Sequence, residues 1–330
     1  MNSAVRTGHQ LEIRDQENAC GKLAARMIKG IGWIVCAFAA ALVVATALFA
    51  WIAWSLTHPA IAPLSANPAQ ELGAPYENIR FHSRTNNRLL SGWYIPGNHS
   101  TKTVVFSHGY GTNREEPWIP LCRLANALHK SNYNVFMFDY GYADQRQKFA
   151  VTAGVKEKGD LLGAIAYARS RGAKQIFVWG FSMGAGTALQ AALIDSHVDG
   201  MILDSTFLLD EHSLAYNLKR ILHLPAFPSA RLLSFLFPYI AGFDMNEIHA
   251  QDIISHDYSF PIFFIHGKKD RKSPYKLSQQ LYARQTNPYS RAWFPAKRGH
   301  EMTFRFQPKE YLRKTLGFLK AISASSDTQA

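Results

Sequence analysis

A long uncharged apolar stretch near the N-terminus constrains the architecture of this chain more than any other feature of the sequence. Residues 31–56 read IGWIVCAFAAALVVATALFAWIAWSL and contain no charged side chain. At about 1.5 Å per residue, a helix of that length crosses roughly 30 Å of hydrocarbon. The stretch is apolar on all sides rather than along one stripe, which is not typical of a core helix in a soluble protein. The sequence therefore predicts a transmembrane helix over residues 30–57 that follows a tail of residues 1–29.

The charges that flank this span are asymmetric. Arg14, Lys22, Arg26 and Lys29 precede it, whereas the first charged residue after it is Glu71. The positive-inside rule then predicts a cytoplasmic N-terminus and an extracytoplasmic main domain. A cleaved signal peptide is the alternative, but the apolar stretch exceeds the usual h-region of about 7–15 residues.

The composition of the chain is that of a folded protein with a basic surface. Of its 330 residues, 47% are hydrophobic and 18% are charged, and the formal net charge is +12. The excess charge fits either an ordinary solvated face or attraction to an anionic lipid or polymer. No nucleic-acid-binding motif is present, so we expect no nucleic-acid partner. Cys20, Cys36 and Cys122 fall in three different segments, which excludes a disulfide framework inside the main domain.

The remainder of the chain alternates between strand and helix patterns. Residues 58–75 contain four prolines and are predicted to form an extended linker, and a domain follows over residues 76–330. Apolar runs separated by amphipathic stretches predict a mostly parallel sheet of eight strands flanked by helices. Residues 206–251 interrupt the alternation and are predicted to form a small helical lid. The predicted strands are 79–83, 89–95, 103–107, 134–139, 175–179, 200–204, 261–266 and 291–294.

A serine lies in a sharp glycine-rich turn between the fifth predicted strand and a helix. Residues 180–184 read GFSMG, the G-x-S-x-G pattern of a nucleophile elbow in its required strand–turn–helix context. A β-carbon at either glycine would crowd the neighbouring backbone. The helix N-terminus favours negative charge that develops near the serine. The sequence therefore predicts that Ser182 is a nucleophile.

A serine hydroxyl needs a general base, and the base needs a carboxylate that orients it. In chains with this elbow the acid and then the histidine follow the serine. His300 is the only histidine after Asp270, and it follows the last predicted strand by a short loop. Asp270 follows the strand at 261–266 and is the predicted acid, while Asp204, which also ends a strand, is the rival.

The negative charge of a tetrahedral intermediate needs two backbone N–H donors. Met183, directly after the nucleophile, is the first predicted donor. The second is Tyr110, which lies between two glycines in the loop after the third strand. His108 in the same loop is predicted to be structural, and residues 139–142 are predicted to brace the loop.

These motifs together resemble the α/β-hydrolase superfamily, and specifically its serine-aminopeptidase-like branch. The resemblance covers the chain from about His58 onward and includes bacterial members with one N-terminal membrane helix. It implies the α/β-hydrolase fold, a catalytic triad and hydrolysis, but no uniform substrate. The motifs that carry it are residues 108–111, 139–141, 180–184, 266–270 and 299–300.

The predicted chemistry is acyl hydrolysis through an acyl-enzyme, most simply of a carboxylic ester. The apolar lid and the nearby bilayer favour a small-molecule or lipid-like acyl substrate. Peptide and thioester substrates stay open, and a non-catalytic, membrane-tethered binding protein on the same scaffold is the alternative of another class. His249, His256 and His266 lack the spacing of a metal-ligand set, and no phosphate or dinucleotide motif is present, so we expect neither a metal nor a cofactor.

Overall fold

The computed structural model describes residues 2–85, 87–144, 149–195 and 197–327; for residues 2–20, 24 and 325–327 it describes the backbone alone. The chain divides into two compact units, Met1–Ile52 and Ala53–Ala330. The second unit contains the sheet and the candidate site.

A single long helix, α1 (Asn2–Thr57), accounts for the first unit and ends within the second. Its Gly21–Thr57 portion is long and apolar enough to cross a membrane by length and composition. Large apolar side chains such as Trp33 and Phe38 are exposed around it. A membrane anchor and a signal sequence share these properties, because each is an uncharged apolar helix.

The second unit is built on one eight-stranded sheet, which confirms the predicted architecture. The strand order is β1-β2-β4-β3-β5-β6-β7-β8. Only β2 runs against its neighbours; all pairings from β4 to β8 are parallel. The strands are β1 (Glu77–His82), β2 (Leu89–Ile95), β3 (Lys102–Ser107), β4 (Asn134–Phe138), β5 (Gln175–Phe181), β6 (Gly200–Asp204), β7 (Ile262–Ile265) and β8 (Arg291–Trp293).

Helices cover the sheet because its central strands are apolar on both faces. Every residue of β4, β5, β6 and β7 is buried. Such strands require cover on each side, which the crossover helices of a parallel sheet provide. The helices of the second unit are α2 (Pro68–Leu72), α3 (Leu121–Lys130), α4 (Glu157–Ser170), α5 (Met183–Ala192), α6 (Glu211–Asn217), α7 (Ala226–Ile240), α8 (Ala250–Ser255), α9 (Lys276–Ala283), α10 (Thr303–Phe306) and α11 (Pro308–Asp327).

The insertion between β6 and β7 is helical, as predicted for a lid. It contains α6, a π-helical turn at Leu218–Leu222, α7 and a 3-10 turn at Met245–Ile248. Asp210 caps α6 by accepting a hydrogen bond from Ser213 N, which fixes where that helix begins. The last helix of the insertion, α8, begins at Ala250 and extends past the predicted boundary at residue 251.

The segment at residues 58–75, predicted to be an extended linker, makes hydrogen bonds to the domain. Asn113 Nδ2 donates to Ala62 O at 2.8 Å. The Glu115 carboxylate accepts hydrogen bonds from the backbone N–H groups of Ser65 and Ala66. Side chains of the domain thus satisfy backbone groups of the segment, which therefore packs as part of the second unit.

Candidate active site

Ser182 occupies a strained turn between β5 and α5. Its φ is 48° and its ψ is −114°, a combination that residues other than glycine rarely adopt. Two backbone hydrogen bonds hold the turn: Ser182 N donates to Asp204 O at 2.9 Å, and Phe207 N donates to Ser182 O at 3.1 Å. Backbone strain of this kind persists only where the surroundings enforce it, and it is common at functional sites.

The two glycines of the elbow are required by close backbone approach. A β-carbon at Gly180 would lie 2.6 Å from Ala185 Cα, and one at Gly184 would lie 2.1 Å from Ser107 O. Neither contact can be relieved by rotating a side chain, since both involve main-chain atoms. Glycine is therefore required at both positions of the G-x-S-x-G pattern in this chain, because a β-carbon there would clash with the neighbouring backbone.

Three side chains predicted from the sequence lie in hydrogen-bond contact. His300 Nε2 is 2.8 Å from Ser182 Oγ, and His300 Nδ1 is 2.6 Å from Asp270 Oδ2. Asp270 is on the loop after β7 and His300 on the loop after β8. Because parallel strands end at the same edge of a sheet, these loops and the elbow converge there.

Asp270 is held as a buried carboxylate by donors on both of its oxygens. Its Oδ1 accepts the backbone N–H groups of Lys272 and Ser273 at 2.8 and 2.9 Å. Its Oδ2 accepts from His300 and also from His266 Nε2 at 3.0 Å. Burial alone would raise the pKa of Asp270, but the hydrogen bonds from His266 and His300 outweigh it and hold the pKa well below its usual range.

Asp204, the rival acid, is occupied elsewhere. Its Oδ2 accepts from Tyr311 Oη at 2.7 Å and its Oδ1 accepts from Ser205 Oγ at 2.9 Å. In the part of the chain that the structure describes, it makes no hydrogen bond to His300. The geometry therefore favours Asp270 as the partner of the imidazole.

The two predicted oxyanion donors, Tyr110 and Met183, line the same cavity as Ser182 and His300. Met183 is the first residue of α5, where a backbone N–H has no acceptor within the helix. The Tyr110 hydroxyl donates to Leu56 O at 2.8 Å, which anchors the loop from its side-chain end.

The loop that carries Tyr110 is braced by buried polar contacts. Tyr140 N donates to His108 Nε2 at 3.1 Å, so the proton of the neutral imidazole is on Nδ1, which donates to Gly109 O at 2.9 Å. Burial lowers the pKa of His108 to about 4, consistent with a structural histidine. Asp139 accepts from both the backbone and the guanidinium of Arg114, at 2.8 and 2.6 Å.

A mainly apolar cavity of about 590 Å³ opens onto Ser182. That volume is within the range of small-molecule sites, about 300–1,000 Å³. Leu56, Thr57 and Pro59 form part of its wall. The lid contributes Phe207, Leu209, Leu214, Ile221, Phe237 and Phe243 to the wall.

Within the described ranges, no group of three or more His, Cys, Asp or Glu side chains is arranged to hold a metal ion.

Several residues around the site are not identified by the sequence prediction. His266 contacts Asp270, and its Nδ1 is 2.7 Å from Ser278 Oγ. Glu116 and Glu301 are buried, and Glu301 lines the cavity. The spacing of His266 and Asp270 in one short loop is a signal for the first contact, whereas nothing in the sequence pairs the two glutamates.

The comparisons with known proteins agree with this architecture. The family model described as alpha/beta hydrolase fold matches residues 102–228, which include β3, the elbow and the beginning of the lid. The Pyrococcus furiosus esterase Pf2001 is 25% identical in sequence; its structure superposes with a TM-score of 0.66 over 81% of this chain and 98% of that chain. The chain has the α/β-hydrolase fold. Its assignment to the serine-aminopeptidase-like branch stays a prediction.

Relatives outside the solved structures include a lipase. The uncharacterized protein YfhR of Escherichia coli strain K12 is 26% identical over 223 residues, which are 64% of this chain and 69% of the relative. The lysophosphatidylserine lipase ABHD12 of Danio rerio is 28% identical over 211 residues, 58% of this chain and 49% of the relative. These relatives and the fold together support hydrolase activity.

Proposed function

We propose that this α/β-fold hydrolase is a membrane-anchored serine esterase that cleaves carboxylic esters of apolar acids. The single observation that carries the proposal is the position of His300. One of its ring nitrogens is 2.8 Å from Ser182 Oγ and the other is 2.6 Å from Asp270 Oδ2. A serine so connected is the nucleophile that acyl transfer requires.

The proposed reaction proceeds in two steps. His300 removes the Ser182 proton as the oxygen attacks the ester carbonyl, and the backbone N–H groups of Tyr110 and Met183 stabilise the oxyanion. The same imidazole then protonates the departing alcohol, which leaves an acyl group on Ser182. Water attacks this acyl-enzyme with His300 again as base, and release of the acid restores the serine. Asp270 keeps the imidazole in the required orientation and stabilises its positive charge.

The cavity supports an apolar acyl group as the bound part of the substrate. Its wall is mainly hydrocarbon, and burial of a methylene group contributes about 0.8 kcal/mol. The lipase ABHD12 and the esterase Pf2001 both have names that denote ester hydrolysis.

The dependence of rate on acyl-chain length tests the proposed substrate class. We expect kcat/KM for p-nitrophenyl esters to rise about threefold to fourfold with each methylene added to acetate until the cavity is filled. Leu214→Trp, which narrows the cavity, should lower the ratio of octanoate to acetate hydrolysis. Leu222→Trp is the control, since Leu222 is an exposed lid residue. A ratio that falls equally in both variants, or no preference in the wild type, contradicts an acyl site here.

The pH dependence of kcat/KM should report the ionisation of His300. Burial opposes its positive charge, but the hydrogen bond to Asp270 and the nearby Glu301 outweigh burial and raise the pKa of His300 above 6.5. Only the neutral imidazole accepts a proton, so activity is present above that pKa and lost as the pH falls through it. An acid limb with an apparent pKa below 6.5 contradicts this assignment.

The proposed topology places the enzyme outside the cytoplasm. The apolar helix is followed by the second unit, and basic residues precede it, so we propose a retained anchor with a cytoplasmic N-terminus. Protease added to intact spheroplasts should digest the domain while a cytoplasmic marker protein stays intact. Full protection of the domain contradicts this orientation, and a soluble domain that lacks residues 1–57 indicates a cleaved signal sequence.

A further inference from the structure

Two buried carboxyl groups meet beside the loop that carries Tyr110. Glu116 is 0% exposed and Glu301 is 3% exposed. A β-carbon built on Gly109 would lie 2.6 Å from Glu116 Oε1 and 3.1 Å from Glu301 Oε1. Both carboxyl groups therefore lie next to the α-carbon of Gly109. Glu116 belongs to the loop after β3, whereas Glu301 belongs to the loop after β8.

The hydrogen bonds of the pair leave one oxygen unsatisfied. Both oxygens of Glu116 accept from Gly109 N at 3.0 Å. Glu301 Oε2 accepts from Trp118 Nε1 at 2.8 Å. Glu301 Oε1 is buried and has no hydrogen-bond partner among the described residues. A buried carboxyl oxygen without a donor is costly, and a proton placed between the two groups would remove that cost.

The surrounding charges do not neutralise two carboxylates. His300 Nε2 is 3.9 Å from Glu301 Oε2, and Lys272 interacts with Glu301 only at longer range. Asp204 acts on both glutamates and adds negative charge. Burial, and for Glu116 also repulsion from Glu301, raises the pKa of each carboxyl group. Repulsion between two carboxylates in one buried site disfavours the ionisation of both groups.

We propose that Glu116 and Glu301 share one proton and that this hydrogen-bonded pair fastens the loop of Tyr110 to the loop of His300. Gly109 N donates to Glu116, and Gly109 directly precedes Tyr110, whose N–H is the proposed oxyanion donor. Glu301 directly follows His300, and its N–H donates to Ser205 Oγ at 2.9 Å. Both glutamates are positioning residues, since neither is assigned a contact with the reacting atoms.

Loss of the shared proton should loosen this connection. At high pH both groups become anionic, and repulsion separates the loop of the oxyanion donor from the loop of the base. The shared proton rests on contacts within the fold alone, whereas its effect on rate rests on the proposed function. The two parts are therefore tested separately.

Infrared spectroscopy of the full chain in detergent, labelled with carbon-13 glutamate, tests the proton directly. At neutral pH we expect a carboxylic-acid C=O band that moves with the label, which excludes aspartic acids. Glu116→Gln and Glu301→Gln should each abolish it, because the new amide donates to the remaining carboxylate. Glu157→Gln is the control: Glu157 is another buried glutamate, and it accepts from Thr152 N at 2.9 Å. The control should retain the band.

Absence of the band in the wild type overturns the proposal. A band that survives in either Glu116→Gln or Glu301→Gln also overturns it, since one carboxyl group then holds the proton alone. If neither variant folds, the wild-type spectrum decides, because one protonated glutamate per molecule is expected at neutral pH and none is the contradicting result.

The kinetic consequence is an alkaline limb in kcat/KM that depends on the pair. In the wild type we expect kcat/KM to fall about tenfold as the shared proton is lost, and in Glu116→Gln that fall should be absent. The limb should persist in Glu157→Gln. An identical limb in the wild type and in Glu116→Gln overturns the positioning role. If neither the wild type nor any variant hydrolyses an ester, the proposed function has failed. The infrared spectra still decide whether the two glutamates share a proton.

Discussion

Ser182→Ala is expected to lower kcat for ester hydrolysis on the order of 10⁶-fold. The variant keeps the cavity but removes the hydroxyl oxygen that is 2.8 Å from His300 Nε2. The remaining activity would come from oxyanion stabilisation and binding alone. The rates are measured with a p-nitrophenyl ester under single-turnover and steady-state conditions.

The interdependence of Ser182 and His300 provides a second test of this prediction. His300→Ala should cost as much as Ser182→Ala, and the double variant should be no worse than either, because the residues act as a unit. Ser170→Ala is the matched control: Ser170 lies on α4, and its hydroxyl donates to Tyr167 O at 2.8 Å. Equal rates for the wild type and Ser182→Ala contradict the nucleophile assignment and favour a binding protein on this scaffold.

Asp270→Asn should lower kcat by about 10⁴-fold while the chain stays folded. The neutral amide has one acceptor oxygen, so it cannot accept both from His300 and His266 and from the backbone N–H groups of Lys272 and Ser273, as the two oxygens of the carboxylate do. The imidazole is then free to carry its proton on Nε2, and in that tautomer it cannot accept a proton from Ser182. Measurement of kcat, with a thermal melt to verify folding, checks the prediction.

Asp204→Asn distinguishes the two acids that the sequence offers. Asp204 bonds to Tyr311 and Ser205 rather than to His300, so we expect its loss to change kcat less than about tenfold. A larger loss in Asp204→Asn than in Asp270→Asn would reverse the assignment of the orienting carboxylate.

The strands and the candidate triad could be predicted because both follow from local patterns. The predicted strands at 89–95 and 200–204 match β2 and β6 residue for residue. Continuous apolar runs identify buried strands, and parallel strands deliver their loops to one edge. The contacts among Ser182, Asp270 and His300 follow from that topology without knowledge of any side-chain position.

Contacts between distant loops could not be predicted in the same way. Trp118 Nε1 donates to Glu301 across 183 positions of sequence, and Asn113 bonds to Ala62 across 51. Such pairs depend on how loops fold over the sheet, which no periodicity encodes. Prolines in residues 58–75 are as compatible with a segment packed on a domain as with a free linker. For the same reason, the sequence does not predict that Leu56 and Thr57 form part of the cavity wall.

Labelling of the full chain with a fluorophosphonate, followed by mapping of the modified peptide, tests the central claim most directly. The reagent modifies serines that a neighbouring base has activated, and it needs no knowledge of the substrate. We predict modification at Ser182 that His300→Ala abolishes and that Ser170→Ala leaves in place. Folded wild-type protein that is not labelled, or label on another serine, would contradict the proposed triad.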